Sequence, residues 1–315
     1  MADEQLDDLF AGVELPKPLS RVKQRLLRSA VAIEADDPTS ILYQHTVFCQ
    51  TVLPYRDPGP SVQVWERQQG SVALKIQTMT VRNHDTGEWV RLGLPYGPKP
   101  RLILAHLNAE ALRTKSPEIE ICATLTGFVR RLLGYEPNGF EIRSFKDQLG
   151  RLAAAMVQLS NVRDGRAYQV DTKVITAFDL WFGMDGQQRA LWPSIVRLSM
   201  DYFQSLQDHA VPLDERAIAA LSHNAMALDI YSWLAQRLHR VEPGKPAFIP
   251  WTALHSQFGQ GYGRIRDFRA VFLRTMSIVH DQYSAAKLDL DGRGMTLRHS
   301  PPAVKGRVYV IPKGG

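Results

Sequence analysis

The chain has 315 residues, of which 44% are hydrophobic and 22% charged, so it can bury the cores of two or three compact domains. The formal net charge of +6 favours a polyanionic partner, although residues 1–20 are acidic, with Asp3, Glu4, Asp7, Asp8 and Glu14 against Lys17. Two widely separated cysteines, the lack of a signal peptide and the lack of an apolar run of about 18 residues argue against secretion and a membrane span. We therefore expect a cytoplasmic protein with no membrane partner.

The first 94 residues are predicted to form an acidic tail followed by β-structure. Residues 1–34 comprise an acidic disordered tail and a short helix over 21–33, and residues 35–94 form a small β-rich segment. Apolar and polar residues alternate over 62–94, with turn signals at Gln69 and Gly70, which is typical of a small antiparallel β unit.

Residues 95–185 are predicted to form a first domain. Its elements, in order, are a helix over 101–113, a strand over 119–122, a helix capped by Thr124 and stopped by Gly134, a helix over 144–159, and a hairpin around Asp164 and Gly165. The third helix is inferred from apolar residues that share one helical face: Phe145, Leu149, Leu152 and Met156.

Residues 190–315 repeat this order and are predicted to form a second domain. Its elements are a strand over 194–200, helices over 213–221 and 224–240, a short strand over 247–251, helices over 252–258 and 264–283, a hairpin around Asp291 and Gly292, and a last strand over 307–312. The tripeptide Asp-Gly-Arg marks both hairpins, at 164–166 and 291–293. A helix-turn-helix followed by a hairpin is the winged-helix arrangement. The predicted fold is α+β, with two tandem winged-helix domains preceded by the small β-rich segment and the acidic disordered tail.

The glycine-rich stretch QFGQGYGRIRDFRAVFLRT (257–275) has two possible interpretations, a nucleotide-binding loop and a turn between two helices. A dinucleotide fingerprint needs Gly where Arg264 stands and a strand before it, but a helix is predicted there. A phosphate-binding P-loop would need a Gly-Lys-Ser/Thr sequence, which is also missing. The glycines are therefore interpreted as the turn of a helix-turn-helix.

Basic residues on the last helix of each domain and on the two hairpins are the candidate DNA contacts. Arginine can donate two hydrogen bonds to guanine, and flanking basic residues hold phosphates. The candidates are Arg264, Arg266, Arg269, Arg274, Arg143, Lys146, Arg151, Arg166, Arg293 and Arg298. The alternative for each is a solvated charged face. The small side chains of Ala153, Ala154 and Ala155 suit close approach to DNA or to a second subunit equally.

No catalytic residue, metal site or cofactor is predicted. The nine histidines include no His-x-His pair, and neither His-Glu-x-x-His nor Gly-x-Ser-x-Gly occurs. Asp289 and Asp291 form an Asp-x-Asp that could hold a metal for phosphoryl transfer, but they flank a glycine turn, which favours a role in the hairpin.

The amino-terminal sequence QLDDLF resembles the short peptides by which bacterial replication proteins dock on the sliding clamp, with one extra residue between the leucines. Its anchors would be Gln5, Leu6, Leu9 and Phe10. A tail with a few apolar anchors suits such docking. The alternative is an acidic tail that only keeps the protein soluble.

Long stretches of the sequence resemble the plasmid-encoded RepA-type replication initiators. They are ILYQHTVFCQTVLPYRDPG (41–59), TGEWVRLGLPYGPKPRLILAHLNAEALRTKSPEIEI (86–121), LTGFVRRLLG and FKDQLGRLAAA. The resemblance implies binding to repeated sites (iterons) in double-stranded DNA at a plasmid origin, opening of adjacent DNA, and recruitment of the sliding clamp, the replicative helicase or a host initiator. It also implies autorepression by a homodimer in equilibrium with monomer.

The same resemblance implies a division of roles between the two domains. Base readout would belong to Arg264, Arg266, Arg269 and Arg274 in the second domain, and backbone contacts to Arg143, Lys146 and Arg151 in the first. Two alternatives remain open at this point: a transcriptional repressor without origin activity, and a primase or nickase that uses Asp289 and Asp291.

Overall fold

The computed structural model describes residues 20–82, 86–120, 125–163, 166–177 and 195–304, without the side chains of 162–168 and 177. The helices are α1 (Arg21–Ala35), α2 (Thr46–Gln50), α3 (Pro98–Thr114), α4 (Leu125–Leu133), α5 (Gly139–Ala154), α6 (Met200–His209), α7 (Glu215–Leu221), α8 (Ala225–Arg237), α9 (Trp251–Phe258) and α10 (Ile265–Gln282), with a 3-10 turn at Leu238–Arg240. The strands are β1 (Ile41–His45), β2 (Val64–Gln69), β3 (Val72–Thr78), β4 (Thr80–Arg82), β5 (Trp89–Arg91), β6 (Glu118–Glu120), β7 (Ala155–Arg163), β8 (Arg166–Lys173), β9 (Ile175–Ala177), β10 (Ile195–Leu198), β11 (Ala210–Asp214), β12 (Ala247–Pro250), β13 (Leu288–Leu290) and β14 (Gly294–Leu297). The predicted α+β class is confirmed; the expected tail and last strand lie outside the described residues.

The amino-terminal strands join the hairpin of the first half in one antiparallel sheet of order β2-β3-β7-β8. The β2–β3 hairpin turns at Gly70, whose φ of +56° favours glycine. Strand β3 buries Val72, Leu74 and Ile76 on one face and pairs along its whole length with β7. Only β2 and β3 of the predicted β unit of residues 62–94 belong to this sheet, because β4 and β5 form a separate two-stranded sheet.

The helix expected over 144–159 ends earlier, so this prediction is wrong at its carboxyl end. Helix α5 stops at Ala154, and β7 begins at the next residue. Burial from Ala155 onward alternates with period two, with Val157 and Leu159 inside. Met156 shares that strand and not the helical face of Phe145, because pairing with β3 satisfies the backbone that the helix would otherwise use.

The helix expected over 213–221 likewise begins late. Residues Ala210–Asp214 form β11, which pairs antiparallel with β1. Asp214 ends the strand and caps α7, because its side chain accepts a hydrogen bond from the backbone N–H of Arg216 at 2.9 Å. The sequence reading also missed α6, which Ser199 caps in the same way, and the β1–α2 unit.

Contacts that are distant in sequence tie the amino-terminal segment to the last third of the chain. The Ser29 hydroxyl on α1 donates to the Arg216 carbonyl at 2.9 Å, and the Gln282 amide on α10 donates to the Leu26 carbonyl at 3.0 Å. On the other side, the Arg101 guanidinium on α3 makes two 2.7 Å hydrogen bonds to the carboxylate of Asp229 on α8. One continuous apolar core underlies these contacts. The boundaries at 34, 94 and 185–190 remain predictions.

The carboxy-terminal part has a helix, a turn, a longer helix and a three-stranded sheet of order β12-β14-β13. The turn between α9 and α10 depends on glycine, because a Cβ at Gly259 would lie 2.5 Å from the His255 carbonyl oxygen, and Gly261 has a φ of +80°. The two strands of the hairpin, β13 and β14, lie on either side of Asp291, as predicted. This geometry places the amino end of α10 beside the hairpin turn.

Candidate nucleic-acid interface

Helix α10 presents a basic face because its apolar face is anchored in the core. Phe268 and Phe272 are fully buried, and their rings pack edge-on against Trp251 of α9 at centroid distances of 6.4 and 5.7 Å. The opposite side turns Arg266 outward, with 84% of its side chain exposed and only a 3.6 Å contact to the neighbouring Asp267. Arg264 and Arg274 are exposed and have no side-chain partner among the described residues. These three cations are available to a ligand.

Arg269 differs from its neighbours because it joins α10 to the hairpin. Its guanidinium donates to the backbone carbonyls of Asp291 at 3.2 Å and Gly292 at 3.4 Å, and lies 4.9 Å from the centre of the Trp251 ring. The Trp251 indole N–H also donates to the Asp291 carbonyl at 3.0 Å. The side chain predicted to read bases is therefore committed to holding the hairpin turn.

The hairpin turn is ordered by Asp291. Its carboxylate accepts the backbone N–H groups of Arg293 at 2.7 Å and Gly294 at 2.9 Å, and these hydrogen bonds lower the pKa of Asp291. The other acid of the pair, Asp289, accepts from Arg298 at 2.9 Å. Both carboxylates of the Asp-x-Asp thus have structural partners, and within the described ranges no group of three or more His, Cys, Asp or Glu side chains could hold a metal.

An open groove of about 360 Å³ lies where the hairpin turn meets the amino ends of α9 and α10. Its lining includes Arg266, Arg269 and Arg293, and the Arg293 guanidinium also lies 5.8 Å from the centre of the Phe248 ring. Neither helix has a side-chain cap at its amino end. The positive amino ends of the two helices and three guanidiniums together make this a strongly cationic concavity.

The first half places its candidates around α5. A capping box closes the helix start: Asn138 accepts from the Glu141 N–H and Glu141 accepts from the Asn138 N–H, each at 2.9 Å. Arg143 is exposed and Lys146 half-buried, both on the outer side of the helix. Two of the candidate cations on α5, Arg143 and Lys146, are therefore accessible.

Arg151 is engaged inside the first half. Only 15% of its side chain is exposed. The guanidinium bonds Asp147 at 3.0 Å, contacts Asp57 at 3.4 Å and donates to the Leu94 carbonyl at 3.2 Å. It also packs so close to Gly93 that a Cβ there would lie 2.8 Å from it. The bonds fix α5 against the segment before α3.

Some predicted sites lie outside the described residues, and others were missed. The docking residues Gln5, Leu6, Leu9 and Phe10 are outside, and Arg166 is described only as backbone, paired with Arg163 at the end of the β7–β8 hairpin. The sequence reading missed Trp251 and Phe248. The alternation in Ala247–Pro250 was the available signal, because it turns Phe248 away from the core.

Residues 94–252 match the protein family described as plasmid-encoded RepA protein. This span is half of the sequence and contains α3 to α8, both ends of the Arg101–Asp229 pair and the start of α9. The chain belongs to the plasmid-encoded RepA family. The resemblance seen in the sequence is thereby confirmed, and membership in this RepA family supports a role in the initiation of plasmid replication.

Two solved structures resemble the chain. The crystal structure of domains 2 and 3 of RctB covers 80% of this chain and 94% of that one, at 12% identity and a TM-score of 0.49. A selenomethionine derivative of the same domains covers 74% and 83%, at 11% identity and a TM-score of 0.45. No curated protein matches the sequence. Among the helices in the described ranges, none has the length and apolar character needed to cross a bilayer.

Proposed function

We propose that this RepA-family protein is a non-enzymatic initiator that binds repeated sites in origin DNA sequence-specifically. The observation that carries the proposal is the outward face of α10, where Arg264, Arg266 and Arg274 lie exposed beside an ordered hairpin. A helix of this kind enters the major groove, where arginine distinguishes guanine by its O6 and N7 acceptors. In this proposal the two helix-turn-helix units are α4 and α5 with the β7–β8 hairpin, and α9 and α10 with the β13–β14 hairpin. Both are winged helices.

The groove between α10 and the hairpin has a different role in the proposal. Its guanidiniums and the amino ends of the two helices are suited to phosphates, which carry no base identity. Arg266 stands where the groove meets the outer face of α10 and contacts bases. Arg293 and Arg298 of the hairpin contact the sugar-phosphate backbone, and Arg269 positions the hairpin.

The first half contributes backbone contacts through Arg143 and Lys146. We leave Arg151 out of the interface, because its ion pairs and low exposure keep it in the scaffold. The proposal retains a homodimer in equilibrium with monomer, autorepression, opening of the origin, and recruitment of the helicase, a host initiator or, through the amino-terminal tail, the sliding clamp.

The test is a comparison of Arg266→Ala with the charge-matched control Arg113→Ala. Arg113 is also exposed, at 69% of its side chain, but lies at the end of α3, paired with Glu110. The probe is the DNA beside the gene, with a random duplex of the same length for reference. Arg266→Ala should weaken specific binding by about 1–3 kcal/mol and relax discrimination at one base position, whereas the control should change binding little.

Three results would count against this proposal. A footprint without tandem repeats would contradict iteron binding. Equal losses in the two variants, or on the two duplexes, would contradict base reading by Arg266. Binding with normal affinity but no support of plasmid maintenance by the gene and its flanking DNA would indicate a transcriptional repressor instead.

A further inference from the structure

A two-stranded ribbon stands apart from the two helix-turn-helix units. Strands β4 and β5 pair antiparallel with each other, and with no other strand of the described chain. The ribbon begins where the Met79 N–H donates to the Ala154 carbonyl at 3.1 Å, at the carboxyl end of α5. It ends two residues before Gly93, which contacts Arg151. Its base is thus fixed beside the first unit.

One face of the ribbon is aromatic and cationic. The register pairs Arg82 with Trp89 and Thr80 with Arg91, and alternate residues on each strand share a face, so these four side chains lie together. All four are exposed, and Trp89 is 68% exposed. Arg82 donates to the Gly87 carbonyl at 3.4 Å, while Arg91 has no side-chain partner within the described ranges.

Exposed aromatic rings also lie beside cations in the two regions proposed to bind DNA. Phe140, at the amino end of α5, lies 5.9 Å from the Lys99 ammonium, and Phe248 lies 5.8 Å from the Arg293 guanidinium. Each of these two sits on a unit proposed to bind DNA. Trp89 has a larger ring, its exposed fraction of 68% is close to the 69% of Phe140, and it lies outside both helix-turn-helix units.

The chemistry of the ribbon face selects single-stranded nucleic acid. A tryptophan ring stacks on a base whose face is free, and flanking arginines neutralise the adjacent phosphates. Bases in a duplex are already stacked and offer only their edges in the grooves. A protein partner would need an acidic surface with an aromatic pocket. A DNA strand carries a negative phosphate and an aromatic base in every nucleotide.

We propose that Arg82, Trp89 and Arg91 form a binding site for single-stranded DNA, separate from the duplex-binding face of α10. This inference rests on the proposed function, because an initiator that opens duplex next to its binding sites creates such a strand. The site would hold one separated strand beside the first helix-turn-helix unit while α10 keeps its duplex.

The experiment measures binding of the full chain to a fluorescent 20-nucleotide oligo(dT) and, in parallel, to the duplex beside the gene. Trp89→Ala should weaken oligo(dT) binding about tenfold, Trp89→Phe should retain most of it because a ring still stacks, and Arg82→Ala with Arg91→Ala should weaken it and flatten its salt dependence. Duplex binding should stay within about twofold of the unchanged protein in all three.

Several outcomes would overturn the proposal. One is a wild-type chain that does not bind oligo(dT), and another is Trp89→Ala binding like wild type. Equal losses on oligo(dT) and duplex would make the ribbon a duplex contact, and a changed oligomeric state in Trp89→Ala would make it a subunit contact. Arg266→Ala separates this proposal from the previous one, since it should weaken specific duplex binding and keep oligo(dT) binding.

Discussion

The two basic helices, α5 and α10, occupy matching places in the chain order but differ in how their charges are used. Helix α5 begins in a complete capping box, and its most carboxy-terminal arginine is held by two aspartates. Helix α10 begins without a side-chain cap, and Arg266 at its start is almost fully exposed. In α5 the helix start and Arg151 are satisfied by groups of the protein, whereas α10 starts without a side-chain cap and leaves Arg266 for a ligand.

This difference shows that a charged helix face is available to a ligand only where its side chains are not already bound by other groups of the protein. Arg151 and Arg269 fall on basic helices of the same kind, yet each is occupied by scaffold groups. Arg266 and Arg274 are not. A helix start without a side-chain cap costs stability, so its presence in α10 is expected where binding offsets that cost.

The strongest test of the link between the two halves is removal of the buried Arg101–Asp229 pair. Arg101→Ala leaves the Asp229 carboxylate buried without its partner, so the free energy of unfolding should fall by about 3–5 kcal/mol, measured by urea denaturation. Burial raises the pKa of Asp229 while Arg101 opposes that rise. The double change Arg101→Met with Asp229→Leu should recover most of the loss; if it recovers none, the pair does more than satisfy buried charge.

A second test separates positioning from reading on α10. Arg269→Lys keeps the charge but loses the planar fork and the stacking on Trp251, so we expect a loss of about 1–2 kcal/mol in unfolding free energy. DNA binding should weaken to the same degree on specific and random duplexes. Arg266→Lys is the matched variant and should lose specificity with unchanged stability. A loss of specificity in Arg269→Lys without loss of stability would return it to base reading.

The smallest expected effects come from the two helix starts. Asn138→Ala removes the cap of α5 and should lower unfolding free energy by about 1 kcal/mol with little effect on DNA binding. Arg264→Asn gives α10 a cap that it lacks, and should raise unfolding free energy by about 0.5–1 kcal/mol while weakening DNA binding. Thermal unfolding with and without DNA measures both. If the two changes shift stability in the same direction, the contrast between the helices is wrong.

The sequence predicted those elements whose hydrophobic periodicity and turn-forming residues indicate the same boundaries. The glycine turn before Arg264 and the hairpin at Asp291 lie where expected, because short-range rules set both. The end of α5 and the start of α7 were placed wrongly, because β7 and β11 form by pairing with β3 and β1, whose positions no local pattern reveals. Charge alone also could not distinguish Arg266 from Arg269, since the difference lies in carbonyl oxygens on a distant turn.

The pairing of β1 with β11 also determines when parts of the nascent chain can fold. Ile41 leaves the ribosome early, but its partner Asp214 follows about 170 residues later, a delay of roughly 10–30 s at common synthesis rates. During that interval β1 exposes an unpaired edge. A chain interrupted before β11 can form neither this two-stranded sheet nor the contact of α1 with α7. Unfinished chains should therefore not compete with complete ones for DNA.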